Sequence, residues 1–130
     1  MKDESTVQQE AQLYARSKDC FLMRNNCGAF KDETGRMVRY GLGNISKQHQ
    51  ENSASSDLIG FTRILITPDM VGKTLAVFTA AECKKEAWNP DKKFDKRERA
   101  QLNFINWVVM NGGYAGFINS VDSFGNILPK

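Results

Sequence analysis

The chain is poor in the residues from which small metal and nucleophile sites are usually made, with one histidine, His49, and three cysteines, Cys20, Cys27 and Cys83, in 130 residues. A single histidine excludes a His-rich zinc centre, and a Ser-His-Asp triad would have to be assembled on a residue in a Ser- and Gln-rich stretch. The cysteines lack C-x-x-C spacing, which argues against zinc, and their odd number makes no disulfide framework. No apolar run approaches the ~20 residues that cross a bilayer, and no apolar signal segment follows Met1. These absences predict a reduced, soluble, intracellular protein without a membrane partner. The glycines at 41, 43, 112, 113 and 116 precede no Lys-Ser/Thr pair, so a nucleotide-hydrolysing phosphate loop has no support.

What remains suits a single domain over residues 1–130. At 41% hydrophobic the chain is long enough to bury a core, and its net charge of +3 leans only weakly toward a polyanionic partner. ESTVQQEAQLYARS, from Glu4 to Ser17, has no Gly or Pro and places Val7, Ala11 and Tyr14 at helical spacing, with Glu10 beside that stripe. The spacing predicts a first helix. CFLMRNN and MVRYG read as short strands, and the Asp-Glu-Thr-Gly cluster between them signals a hairpin turn. Residues 43–56 are polar and rich in Ser, Asn and Gln, and predict a loop.

LIGFTRILI and TLAVFTAAECK flank the turn residues Pro68, Asp69 and Gly72, which predicts a second, central hairpin. Its symmetric register would set Asp57 opposite Glu82, about 5 Å apart at Cβ. Period-two geometry puts Glu82 and Lys84 on one face and Cys83 and Lys85 on the other. Two carboxylates held that close repel each other, and a hard divalent cation, Mg²⁺ or Mn²⁺, would relieve the repulsion, with the Cys83 carbonyl as a further oxygen ligand. A solvated exit from the strand is the plainer reading of the same charges. Farther on, Asp95 and Glu98 have capping-box spacing ahead of a helix whose buried face is marked by Leu102, Ile105 and Val109. Gly112 and Gly113 end it before a last strand, YAGFINSV. Trp107 falls on the apolar helix, whereas Trp88 is open between rim packing and stacking on a base.

Asp57 followed by Glu82-Cys83-Lys84 on a central hairpin, with a helix before and a helix and strand after, resembles the PD-(D/E)XK nuclease superfamily. SDLIGF, AAECK, Gln101 in RERAQLNFINWV and the closing GGYAGFINS resemble its VRR-NUC (virus-type replication-repair nuclease) family, in the small stand-alone phage type. The likeness spans residues 4–121, with Ser56 standing where the superfamily motif has proline. It implies an α/β (α+β) restriction-endonuclease-like core, a mixed central sheet flanked by helices in the order α-β-β-β(-β)-α-β.

The resemblance further implies a Mg²⁺- or Mn²⁺-dependent DNA endonuclease, a homodimer selective for branched or four-way (Holliday) junctions, in the cytoplasm of a bacterial host for a phage-encoded chain. Asp57 and Glu82 correspond to metal ligands, Lys84 to the active-site lysine, Gln101 to the polar residue of the following helix, and Glu10 to a first-helix acid and further metal ligand. RNNCGAF is similar to the family's Arg-x-Asn-x-Gly segment, which makes Arg24 and Asn26 DNA-binding candidates. Lys31, Arg36, Arg39, Lys47, Lys92, Lys93, Lys96, Arg97 and Arg99 join them as cations able to contact phosphates without a base code. A non-catalytic nucleic-acid-binding accessory protein of the same fold is the alternative.

Overall fold

Asp3 opens the first element by accepting the Thr6 amide hydrogen on its side chain at 2.8 Å, a cap that satisfies one of the unpaired donors of a helix start. The computed structural model describes residues 1–129, a mixed α/β chain with four α-helices and short strands. They form two compact units, Met1–Ile64 and Leu65–Lys130.

In the first unit, α1 (Glu4–Arg16) packs on β1 (Cys20–Arg24), with Gln12 Nε2 donating to the Leu22 carbonyl at 3.2 Å. Ala15 is the buried residue of α1, whereas Val7 and Tyr14 of the expected stripe are exposed. The inward face is therefore the one carrying Gln8, Ala11, Gln12 and Ala15. Asp19, at φ 55, turns the chain into β1 in the left-handed region that Asp tolerates better than most residues.

β1 pairs antiparallel with β4 (Leu58–Thr62), setting Phe21 opposite Phe61 with ring centroids 5.3 Å apart. β2 (Gly28–Lys31) and β3 (Met37–Tyr40) form a hairpin with its turn at the expected Asp-Glu-Thr-Gly cluster, but its first strand is GAFK, while CFLMR, expected in that place, is β1 and pairs with β4. The Asp32 carboxylate accepts from the Thr34 and Arg36 amides and the Thr34 hydroxyl, a side-chain-closed turn. These bonds, the Thr34 hydroxyl first, hold its pKa below the ordinary carboxylate value. Within the stretch 43–56, expected as a loop, α2 (Lys47–Asn52) forms behind the Ser46 cap. It buries no residue, so no apolar stripe announces it in the sequence.

In the second unit a single turn of 3₁₀-helix, Pro68–Met70, leads toward β5 (Thr79–Cys83). α3 (Lys96–Met110) crosses over from β5 to β6 (Tyr114–Ile118), which pairs parallel with β5 from Thr79↔Tyr114 to Cys83↔Ile118. A parallel pair requires such a crossover. The capping box of Asp95 and Glu98 is formed in both directions, and Gly112, at φ +94, ends the helix. Of the expected stripe Ile105 is buried and Leu102 half buried, but Val109 is exposed and Val108 is buried in its place. α4 (Val121–Ile127), unannounced in the sequence, covers β6. Gly116 makes that approach possible, since a Cβ there would lie 2.7 Å from Ile127 Cγ2.

The expected central hairpin corrects in two ways. Strand structure is confined to Leu58–Thr62 and Thr79–Cys83, and the described residues form three two-stranded ladders, β1–β4, β2–β3 and β5–β6. The register that would place Asp57 opposite Glu82 is not among them. Among the described residues, no helix is long and apolar enough to cross a membrane.

Candidate active site

The alternation of β5 decides which groups come together in the second unit. Ala80 and Glu82 are half buried, whereas Thr79, Ala81 and Cys83 are exposed. Lys84, one residue beyond the strand, keeps its backbone in register by donating its amide to the Ile118 carbonyl at 2.7 Å. Its side chain returns to the Glu82 face, as period-two geometry requires. Lys85 is exposed.

Gln101, in the second turn of α3, joins the two. Its Oε1 accepts from Lys84 Nζ at 2.7 Å, and its Nε2 donates to Glu82 Oε1 at 2.8 Å. Glu82 and Lys84 thus form no direct ion pair, and one amide lies between them with donor and acceptor ends committed. The other Glu82 carboxylate oxygen makes no hydrogen bond among the described residues.

Aromatic rings form the wall behind Lys84. Its ammonium lies 5.4 Å from the Phe117 centroid and 5.9 Å from that of Trp88, within cation–π range. Trp88, Phe94 and Phe117 pack on one another with centroids 5.1 to 5.9 Å apart. Trp88 is half buried in this cluster, which favours packing over base stacking. Its indole Nε1 donates to Glu98 Oε2 at 2.8 Å.

Glu98 is 4% exposed, the most buried carboxylate described. It also accepts from the Asp95 amide at 3.1 Å and pairs with Lys92 Nζ at 2.9 Å. The hydrogen bonds from Lys92, then Trp88, then the Asp95 backbone hold its pKa down to about 2. The same bond raises that of Lys92. On the far side, Asn119 Nδ2 donates to the Glu86 and Trp88 carbonyls at 3.1 and 3.2 Å, bracing the loop after β5. Trp88, Glu98 and Asn119 therefore support Lys84 from behind. The capping box made Glu98 visible as a helix start, but nothing local signalled its contact with Trp88.

The remaining candidates of the second unit divide. Lys93, Lys96 and Arg97 are exposed, and Lys92 is engaged by Glu98. Cys83 ends β5 on its exposed face.

In the first unit, Glu10 is exposed and pairs with Lys2 at 2.8 Å. Asp57 is exposed immediately before β4, and its carbonyl accepts the Asn25 amide at 2.9 Å. Asn25 also donates through Nδ2 to Ser55 Oγ and the Ser56 carbonyl, and accepts from the Leu42 amide. Asn25 is thus the residue that anchors the backbone at Asp57, while its neighbour Asn26 is exposed. Arg24 ends β1 opposite Leu58 and lines a cavity of about 310 Å³ with Glu4, Gln8 and Gln12 of α1.

Among the described residues, no group of three or more His, Cys, Asp or Glu side chains gathers as a metal-ion site. Compared with protein-family models, curated proteins and solved structures, the chain matches none.

Proposed function

We propose that this chain is a Mg²⁺- or Mn²⁺-dependent DNA endonuclease of the VRR-NUC type, one nuclease domain of PD-(D/E)XK kind over residues 1–130. The observation that carries the reading is the chain Glu82–Gln101–Lys84, in which a carboxylate and an ammonium share a strand face and are held by one amide from the following helix. Three residues singled out for hydrolytic chemistry, 19 positions apart at the extremes, are joined through Gln101, which bonds to each of the other two.

The donor set suits a hard cation. Among the described residues Glu82 keeps one carboxylate oxygen unengaged, the Cys83 carbonyl is a second oxygen nearby in the chain, and Mg²⁺ commonly takes only one or two carboxylates with water and substrate phosphate completing its shell. The sequence resemblance implies Asp57 and Glu10 as carboxylate ligands as well, and these two belong to the first unit, whereas Glu82 belongs to the second. Bound there, the cation would polarise the scissile phosphate and lower the pKa of a bound water.

The protein's own groups do the rest. Lys84 offers an ammonium whose orientation is set by Gln101 and the Trp88–Phe117 wall, placed to neutralise charge that develops on the phosphoryl oxygens. Water adds to phosphorus and gives up one proton to solvent as the new P–O bond forms, the P–O bond to the leaving strand breaks, and the departing alkoxide takes up a proton in return. Gln101 keeps Glu82 and Lys84 from collapsing into an ion pair that would remove both from the reaction. The substrate in this reading is branched DNA, cut by a homodimer whose two-fold axis matches a junction's symmetry.

The test is digestion of a four-way junction beside matched duplex and single-stranded DNA, with Mg²⁺ or Mn²⁺. The expected result is junction cutting that Glu82→Gln and Lys84→Ala each reduce by roughly 10²-fold or more. Cutting that persists in both variants would remove the assignment. Equal cutting of all three DNAs would leave the hydrolysis and defeat the junction preference.

A further inference from the structure

Between Glu33 and Glu51 the chain carries Arg36, Arg39 and Lys47 and no carboxylate. The fold of the first unit gathers these three cations around one cavity of about 550 Å³, lined by β3 and by the segment Asn44–Lys47 that enters α2. None of them takes part in an ion pair among the described residues.

The cavity has a built wall. Asn44 is 8% exposed, and its Nδ2 donates to the Gly28 and Tyr40 carbonyls, both at 2.8 Å. With both amide hydrogens committed, its Oδ1 is left to accept, and it does so from Arg39 Nη1 at 3.4 Å. A buried, fully oriented amide thus holds one edge of the Arg39 guanidinium, which is itself half buried. Arginine has five donors in a rigid fork, so fixing one edge leaves the other free for a bidentate acceptor.

We infer that this cavity binds the phosphodiester backbone of duplex DNA through Arg36, Arg39 and Lys47. The lining contains no aromatic ring on which a base could stack and no carboxylate to accept from a sugar hydroxyl, so the phosphate oxyanion is the group it recognises. The inference rests on the nuclease reading only in its choice of DNA as the polyanion, since the cations and the cavity belong to the first unit by themselves.

The test is an anisotropy titration of a labelled duplex with the full chain, in EDTA and over a series of salt concentrations. In R36Q/R39Q/K47Q, binding weakens and the slope of log K against log salt flattens by about 2 to 3, as the loss of three phosphate contacts requires. K18Q/R63Q/K73Q removes the same charge from exposed positions outside the cavity and changes the slope by less than half as much. Lys47 is exposed and makes no hydrogen bond to Asn44 among the described residues, so K47E tests the site without threatening the fold and weakens binding at least threefold. Equal losses in the two triple variants, or unchanged binding in K47E, would overturn the proposal. Competition by millimolar inorganic phosphate alongside wild-type duplex binding in the cavity variants would also overturn it, marking a small-anion site. EDTA keeps cleavage out of the readout: a chain that binds through the cavity but never cuts would sink the nuclease reading alone, and one that cuts with its titration unmoved by these variants would sink the cavity alone.

Discussion

Gln101 touches Lys84 with one end of its amide and Glu82 with the other, at 2.7 and 2.8 Å. The two charged groups are therefore kept near each other yet apart, because the separate carbonyl and NH₂ ends of the amide accept from the ammonium and donate to the carboxylate at once. Gln101→Leu removes both bonds while keeping the volume. We expect metal-dependent cleavage to fall roughly 10- to 100-fold, the cost typical of a group that orients a metal ligand. A single-turnover assay across Mg²⁺ concentrations checks this, and Gln101→Leu cutting like wild type would show that the contact serves only to join α3 to β5.

Lys84 and Lys85 differ by one residue and by everything around them. Lys84 is half buried under Gln101, Trp88 and Phe117, and Lys85 is exposed. Lys85→Ala should leave cutting within about twofold and stability within about 0.5 kcal/mol, as for most surface substitutions. A larger loss in Lys85→Ala than in Lys84→Ala would reverse the assignment of the two.

Glu98 couples stability to acid. Its folded pKa of about 2 lies below the ordinary value of 4.5, so the folded state favours the ionised carboxylate. The stabilisation is fully present above pH 4.5 and is lost as pH falls toward 2. Urea unfolding of the wild type between about pH 5.5 and 2.5 should show declining stability, and Glu98→Gln should show a shallower decline over that window. Parallel curves for the two proteins would rule out Glu98 as the linked group.

Asn25 and Asn26 are adjacent and should behave differently. Asn25 ties the end of β1 to Leu42, Ser55 and Ser56 through its side chain, whereas Asn26 is exposed. Asn25→Ala should destabilise the protein by roughly 1 to 3 kcal/mol, the cost of losing three side-chain hydrogen bonds, one of them to the half-buried Ser55. Asn26→Ala should unfold at the wild-type urea midpoint. Comparable midpoints for both variants would contradict the anchoring role.

The local features were legible because their causes lie within a few residues. Asp95 and Glu98 three apart specify a helix start, Asp32 with Thr34 and Gly35 specifies a turn, and positions 82 and 84 share a face in any extended strand. α2 escaped because KQHQEN holds no apolar residue and so leaves no period to read, whereas α4 places Val121, Phe124 and Ile127 at helical spacing over only seven residues, too short a run to stand out. Trp88 gave no local indication of whether it packs or stacks, and its partners Glu98 and Phe117 lie 10 and 29 positions away.

By itself, then, the sequence determined where helices begin, where the first hairpin turns, and that Glu82 and Lys84 look the same way. Each follows from backbone geometry and from hydrogen bonds between near neighbours. Only the tertiary structure decided that β4 pairs with β1 and β5 with β6. Short apolar strands resemble one another, and their partners depend on which edges the rest of the unit leaves open. The same non-local packing set Gln101 between Glu82 and Lys84, and turned an N-terminal capping glutamate into the support of the tryptophan behind them.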